Sequence, residues 1–76
     1  MDHFKGSDVT VGDVMIDDHF ALGGEMYRIS EVVRNPDDPE LMNIGFISVA
    51  DPPRHSLLII SKDLKFKIYN QNYNQR

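Results

Sequence analysis

The chain has 76 residues, 41% of them apolar and none of them cysteine. That gives room for one small domain and excludes a multidomain machine, a disulfide scaffold and thiolate chemistry of any kind. A chain this short buries only about 60% of the surface its unfolded form exposes, so a large enclosed active site is excluded as well. The net charge of -4 is unevenly spread: residues 1–40 hold ten acids against Lys5, Arg28 and Arg34, whereas residues 41–76 hold Asp51 and Asp63 against five cations. An acidic total opposes a phosphate backbone at long range, while the basic second half still offers a local cationic face.

The opening residues Met1-Asp2-His3-Phe4-Lys5 lack the basic flank and apolar core of a signal peptide, and no apolar run approaches the roughly 20 residues of a membrane span. The expectation is a cytoplasmic protein. Residues 1–9 read as an N-terminal extension, 10–69 as the folded domain, and 70–76, Asn70-Gln71-Asn72-Tyr73-Asn74-Gln75-Arg76, as a polar tail with too little apolar surface to pack.

Within the domain, turn signals recur at Gly12-Asp13, Gly23-Gly24, Asn35-Pro36-Asp37-Asp38-Pro39, Asp51-Pro52-Pro53 and Ser61-Lys62-Asp63. The segments between them are short and rich in β-branched and aromatic residues, which predicts strands over residues 14–16, 26–34, 41–49, 56–60 and 64–69. The last is clearest, because Leu64, Phe66 and Ile68 alternate with Lys65, Lys67 and Tyr69 at period two. In the second, Tyr27 and Ile29 face inward and a bulge near Glu31 restores Val32. In the third, Met42, Ile44 and Phe46 face inward, and a bulge over residues 45–47 reconciles Ile47 and Val49. A helix over residues 26–34 is the competing reading, from Ile29, Val32 and Val33 at helical spacing, but two turns of β-branched residues make a poor helix.

Five short antiparallel strands must hide both a core and their edges, so the predicted fold is all-β, a small five-stranded barrel. The order Val11-Gly12-Asp13, then Gly23-Gly24-Glu25-Met26-Tyr27-Arg28-Ile29, then Ser61-Lys62-Asp63 resembles SH3-like small β-barrels, including KOW and translation-factor domains, over residues 10–69. The resemblance implies a fold with diverse uses in binding RNA, proteins and peptides. The chain departs from those domains in lacking the aromatic cluster that takes proline-rich peptides, and in carrying Glu25 where a basic hairpin would follow Gly23-Gly24.

The run Leu57-Leu58-Ile59-Ile60 breaks alternation, so apolar side chains point to both faces and something must cover the second. The cover is either the N-terminal segment around Phe4 and Val9 or another chain, including a second copy. His55 and Lys62 flank the run as gatekeepers against strand aggregation. Asp17-Asp18-His19 with Asp13 offers metal-ligand chemistry, and His3 or His55 could add to it. Neighbouring strand residues point apart, however, so a plain acidic turn is the better reading and no metal or other cofactor is expected. Asp37-Asp38-Pro39-Glu40 lacks the spacing and glycine of a calcium loop. No serine sits in a nucleophile elbow, and Gly23-Gly24 is followed by Glu25 rather than the Lys and Ser/Thr of a phosphate loop, so enzymatic activity is not expected.

Protein binding accounts for most of these features together. The expected role is a non-enzymatic adaptor, regulator or inhibitor, of the small acidic sort that phages also encode. It would act as a monomer or homodimer, with its apolar contact at Leu57, Leu58, Ile59 and Ile60. Asp17, Asp18, Asp37 and Asp38 would steer a basic partner. The alternative is a binder of single-stranded RNA or DNA that uses Arg54, Lys62, Lys65, Lys67 and Tyr69, since cations track phosphates and aromatic rings stack on bases.

Overall fold

The computed structural model describes residues 6–69. The strands are β1 (Ser7–Thr10), β2 (His19–Leu22), β3 (Glu25–Arg34), β4 (Leu41–Ser48), β5 (His55–Ser61) and β6 (Lys65–Ile68), with one 3-10 turn at Val11–Asp13. They form a single antiparallel sheet in the order β1-β6-β2-β3-β4-β5. Residues 26–34 are strand rather than helix, as their β-branched content requires.

The expected five-stranded closed barrel is corrected in two respects. The sheet has six strands, and it stays open because β1 and β5 each have a single neighbour. Closure fails at the join between β5 and β6. Only residues 62–64 connect them, yet β6 crosses to lie between β1 and β2 instead of pairing back on β5. The 3-10 turn bridges that corner: Val11 N–H donates to the Leu64 carbonyl at 2.7 Å and Gly12 N–H to the Lys62 carbonyl at 2.9 Å.

The strand count rises by exchange. Residues 14–16 form a link that leaves the 3-10 turn extended at Val14 and enters a second turn at Ile16, not the expected strand, because hydrogen bonds of the two turns, Val14 N–H to the Val11 carbonyl and Asp18 N–H to the Met15 carbonyl, take up its backbone. Two other segments are strands instead. Strand β1 comes from the segment read as an extension, with Val9 buried opposite Phe66. Strand β2 exists because Gly23 and Gly24 both take positive φ, 61° and 84°, which builds a two-residue hairpin with Leu22 opposite Glu25. That turn matches strand twist and requires residues free of a Cβ penalty. The Phe4 portion of the expected cover, His3 and the polar tail lie outside the described residues.

Between β3 and β4 the register steps from Ile29↔Phe46 to Glu31↔Gly45, so the bulge expected near Glu31 is present and returns Val32 to the inner face opposite Ile44. The second bulge, expected over residues 45–47, is absent. Strand β4 pairs with β5 without a break from Leu41↔Ser61 to Ile47↔His55, and Ile47 faces outward. One bulge suffices, and Gly45 permits it: a Cβ there would lie 3.0 Å from the Glu31 Cβ.

The core occupies the inner face of the curled sheet. Val11, Ile29, Ile44 and Ile68 are fully buried in it. Phe20 stands at its centre, stacked on Phe66 with ring centroids 4.9 Å apart and edge-on to Phe46 at 5.3 Å; Tyr27 packs at 5.7 Å. Leu58 and Ile60 pack against the same cluster as Val9, so the N-terminal strand and the aliphatic run do share one interior. Among the described residues no helix is long and apolar enough to cross a membrane.

Candidate functional site

The four aspartates expected to steer a partner sit in two loops and do different work. Asp18 is buried, with 2% of its surface exposed, and its Oδ2 accepts from Met15 N–H at 2.8 Å. Its carbonyl accepts from Ile29 N–H at 2.8 Å, while Asp17 N–H donates back to the Ile29 carbonyl at 2.8 Å, so this loop is stitched to the middle of β3. Asp17 has φ 77° and points its carboxylate to Arg28 at 3.0 Å. Asp37 and Asp38 lie in the β3–β4 connection, where both backbone N–H groups donate to the Asn35 Oδ1 at 2.8 and 3.0 Å, and Asp38 Oδ1 accepts from Glu40 N–H at 3.0 Å. Asp18 is a loop-building residue, whereas Asp37 and Asp38 keep exposed positions. Asp18→Ala removes a buried acceptor and should lower stability by about 1–3 kcal/mol, with Asp18→Asn losing less because one oxygen survives; urea unfolding measures both.

The aliphatic run divides by face. Leu58 and Ile60 turn to the core, opposite Ile44 and Met42. Leu57 and Ile59 turn outward and are 59% and 50% exposed. Leu57 stands beside Gly45, against which the Glu31 side chain lies, and Ile59 stands in a row with Asn43 and the exposed Val33. At the edge of the sheet, Leu57 and Ile59 are therefore the outward side chains between His55 and Ser61. Strand β5 contains no Lys, Arg, Asp, Glu or Pro, the residues that normally guard an exposed edge. The opposite edge, β1, is shorter and carries the exposed Asp8.

The five residues of the nucleic-acid set separate in space. Arg54 is held over Glu25 at 3.1 Å, and the same carboxylate accepts from the Tyr27 hydroxyl at 2.8 Å. That hydrogen bond, with burial behind it, holds the Tyr27 hydroxyl above the usual tyrosine range. Lys62 lies between Asp63 at 3.2 Å and Glu40 at 3.5 Å, and the hydrogen bond to Asp63 and both carboxylate charges raise its ammonium above the usual lysine range. Lys65, Lys67 and Tyr69, by contrast, come together on one groove of about 230 Å³. Its remaining walls are Phe20, Phe66, Leu58 and the Ala21-Leu22 end of β2. These apolar walls were not part of the expected site, although the two-residue turn Gly23-Gly24 was the available signal for a strand before it.

The groove follows from the sheet. Strands β2 and β6 are in register only at Phe20↔Ile68, supported by Tyr69 N–H donating to the His19 carbonyl at 2.9 Å. No further pair joins them among the described residues, so the space between residues 21–22 and 65–67 opens toward solvent over the Phe20 and Phe66 rings.

Among the described residues no three His, Asp or Glu side chains gather to hold a metal ion. Ser48 and Ser61 spend their hydroxyls on loop geometry, accepting from Arg54 N–H at 2.9 Å and Asp63 N–H at 3.2 Å. Comparison of the chain with protein-family models, curated proteins and solved structures finds no match in any of the three.

Proposed function

We propose that the chain is a non-enzymatic protein-binding module, of the adaptor, regulator or inhibitor kind, whose contact surface is the free edge and outer face of β5. One observation carries this reading: β5 is a seven-residue terminal strand without a charged residue or proline, and it exposes Leu57 and Ile59 at the sheet margin. With Lys62 drawn away to Glu40 and Asp63, such an edge accepts another strand, with backbone hydrogen bonds supplying affinity and alternate side chains supplying fit.

The occupant is a strand of a second copy. An uncharged strand meets its own image without repulsion, and a two-fold axis at Leu58 would place Leu57 of each chain against Ile59 of the other on the same outer face. Antiparallel partners point to the same side of a sheet, so this register preserves both the inner and the outer pattern. The pairing is isologous and closes after two chains. Gly12 already occupies the Lys62 carbonyl, which confines the open edge to the stretch before Ser61.

Sedimentation velocity over a concentration series tests this. The expected result is a monomer–dimer shift. A species that stays monomeric at about 500 μM, where even a contact of about 1 mM dissociation constant populates dimers, overturns it.

A further inference from the structure

The groove between β2 and β6 meets β5 only through the inward side chain of Leu58, and its other walls belong to β2, β6 and Tyr69. We propose that it is a binding site for a short stretch of single-stranded nucleic acid, with one or two bases seated at the Phe66 and Tyr69 side and the adjoining phosphates met by Lys65 and Lys67. Three features converge there. The walls are aromatic and aliphatic, with the Phe66 ring backed by Phe20 in a stack at 4.9 Å. Among the described residues, neither Lys65 nor Lys67 enters an ion pair, a freedom shared only by Arg34 on β3, while Arg28, Arg54 and Lys62 are engaged by carboxylates. Both lysines also lie on the exposed face of the strand.

The third feature is room. Gly6 lies beside Lys67 and Tyr69, and a Cβ on it would collide with the Lys67 stem and come within 3.0 Å of the Tyr69 Cε1. The bare backbone lets the aliphatic stem of Lys67 and the phenol ring of Tyr69 share the space that a side chain at residue 6 would fill. An anion with a flat apolar part fits that pairing, and a nucleotide is such a ligand. Asp8 faces Lys67 across the β1–β6 register, with no ion pair between them among the described residues, and Glu25 is already held by Arg54 and Tyr27. A site with two phosphate contacts and few stacked bases binds weakly and through short segments, as an acidic protein requires.

Fluorescence anisotropy with labelled oligothymidylate and oligouridylate of about six nucleotides, a length within the range single small folds cover, tests the proposal on the intact chain. Binding should weaken with salt along a log–log slope of about -1.4, two phosphate contacts at about 0.7 each. Lys65→Gln/Lys67→Gln should flatten that slope toward zero. Tyr69→Ala should lose about tenfold in affinity with the slope unchanged, and Tyr69→Phe should bind within about twofold of the parent, because stacking needs the ring and not the hydroxyl. Binding by either sugar supports the site, and the tighter of the two names the source. Absence of binding at low salt overturns it. So does an oligoglutamate peptide that competes equally well, since that would make the groove a site for acidic polypeptide. Thermal unfolding of each variant identifies loss of fold as the cause of any loss of binding, and the Tyr69→Phe and Tyr69→Ala pair decides the matter if the lysine variant unfolds.

Discussion

Truncating Phe20 to alanine is expected to cost about 3–5 kcal/mol, the usual loss for a large aromatic side chain in a core. Among the described residues no other ring has as many partners: Phe20 stacks on Phe66, meets Phe46 edge-on and packs on Tyr27. Each such pair is worth about 0.5–1.5 kcal/mol beyond its buried area. Phe20 also sits at the one point where β2 and β6 are in register, so its loss loosens the seam joining the β1–β6 pair to the rest of the sheet. A domain of 76 residues has a total stability of roughly 4–11 kcal/mol on the per-residue scale, which places the variant close to its unfolding threshold. Urea unfolding followed by circular dichroism measures this. A loss below about 1 kcal/mol would mean that the aromatic cluster is not the centre of the core. Leu64→Ala provides the contrast, since that side chain is largely exposed and should change stability by no more than about 0.5 kcal/mol.

The all-β class was legible because the signals were local. Turn residues every few positions leave segments too short for helices, and the alternation expected over residues 64–69 holds from Lys65 to Ile68 as β6, whereas Leu64 falls in the preceding bend and is exposed. The bulge near Glu31 was legible for a similar reason, since Ile29 and Val32 can share a face only if one residue is looped out. What failed was non-local. Phe20 stands alone between the polar run Asp17-Asp18-His19 and the Ala21-Leu22 end of its strand, which masked a four-residue strand that pairing with β3 stabilises. Val9 is likewise one apolar residue among Ser7, Asp8 and Thr10, and only its partner Phe66 makes β1 visible. Closure was beyond reach altogether, because it depends on where β6 inserts, and three connecting residues of unremarkable sequence do not encode that.

The candidate surfaces show the same division. That Leu57-Leu58-Ile59-Ile60 must present apolar groups to both faces follows from period two alone, and the structure assigns the pairs: Leu58 and Ile60 inward, Leu57 and Ile59 outward. The aspartates could not be sorted this way. Asp17 and Asp18 are neighbours of identical chemistry, yet one is exposed beside Arg28 and the other is buried as the acceptor that holds Met15. Composition gives their charge; only the loop's attachment to Ile29 decides which of them solvent can reach.

Substituting Leu57→Lys and Ile59→Lys together should abolish self-association while the fold stands. Both side chains face outward, one beside a glycine and the other beside Asn43, so in the monomer the change should stay within about 0.5 kcal/mol. In the two-fold pairing centred on Leu58, residue 57 of each chain lies opposite residue 59 of the other, and the introduced ammonium groups would oppose each other directly, an unfavourable cross-strand arrangement. The same substitutions remove four aliphatic side chains from the contact. A fully buried aliphatic side chain contributes about 1.5–3 kcal/mol, so recovering even half of that for each gives roughly 3–6 kcal/mol, a fall in affinity of at least about a hundredfold. Sedimentation velocity and urea unfolding on the same preparation separate the two effects. Loss of the dimer with stability retained places the contact on β5, and a dimer as strong as the parent's places it elsewhere. A large drop in stability would instead make Leu57 and Ile59 part of the interior, a result that Ile59→Thr, which keeps β-branching without adding charge, would reproduce in milder form.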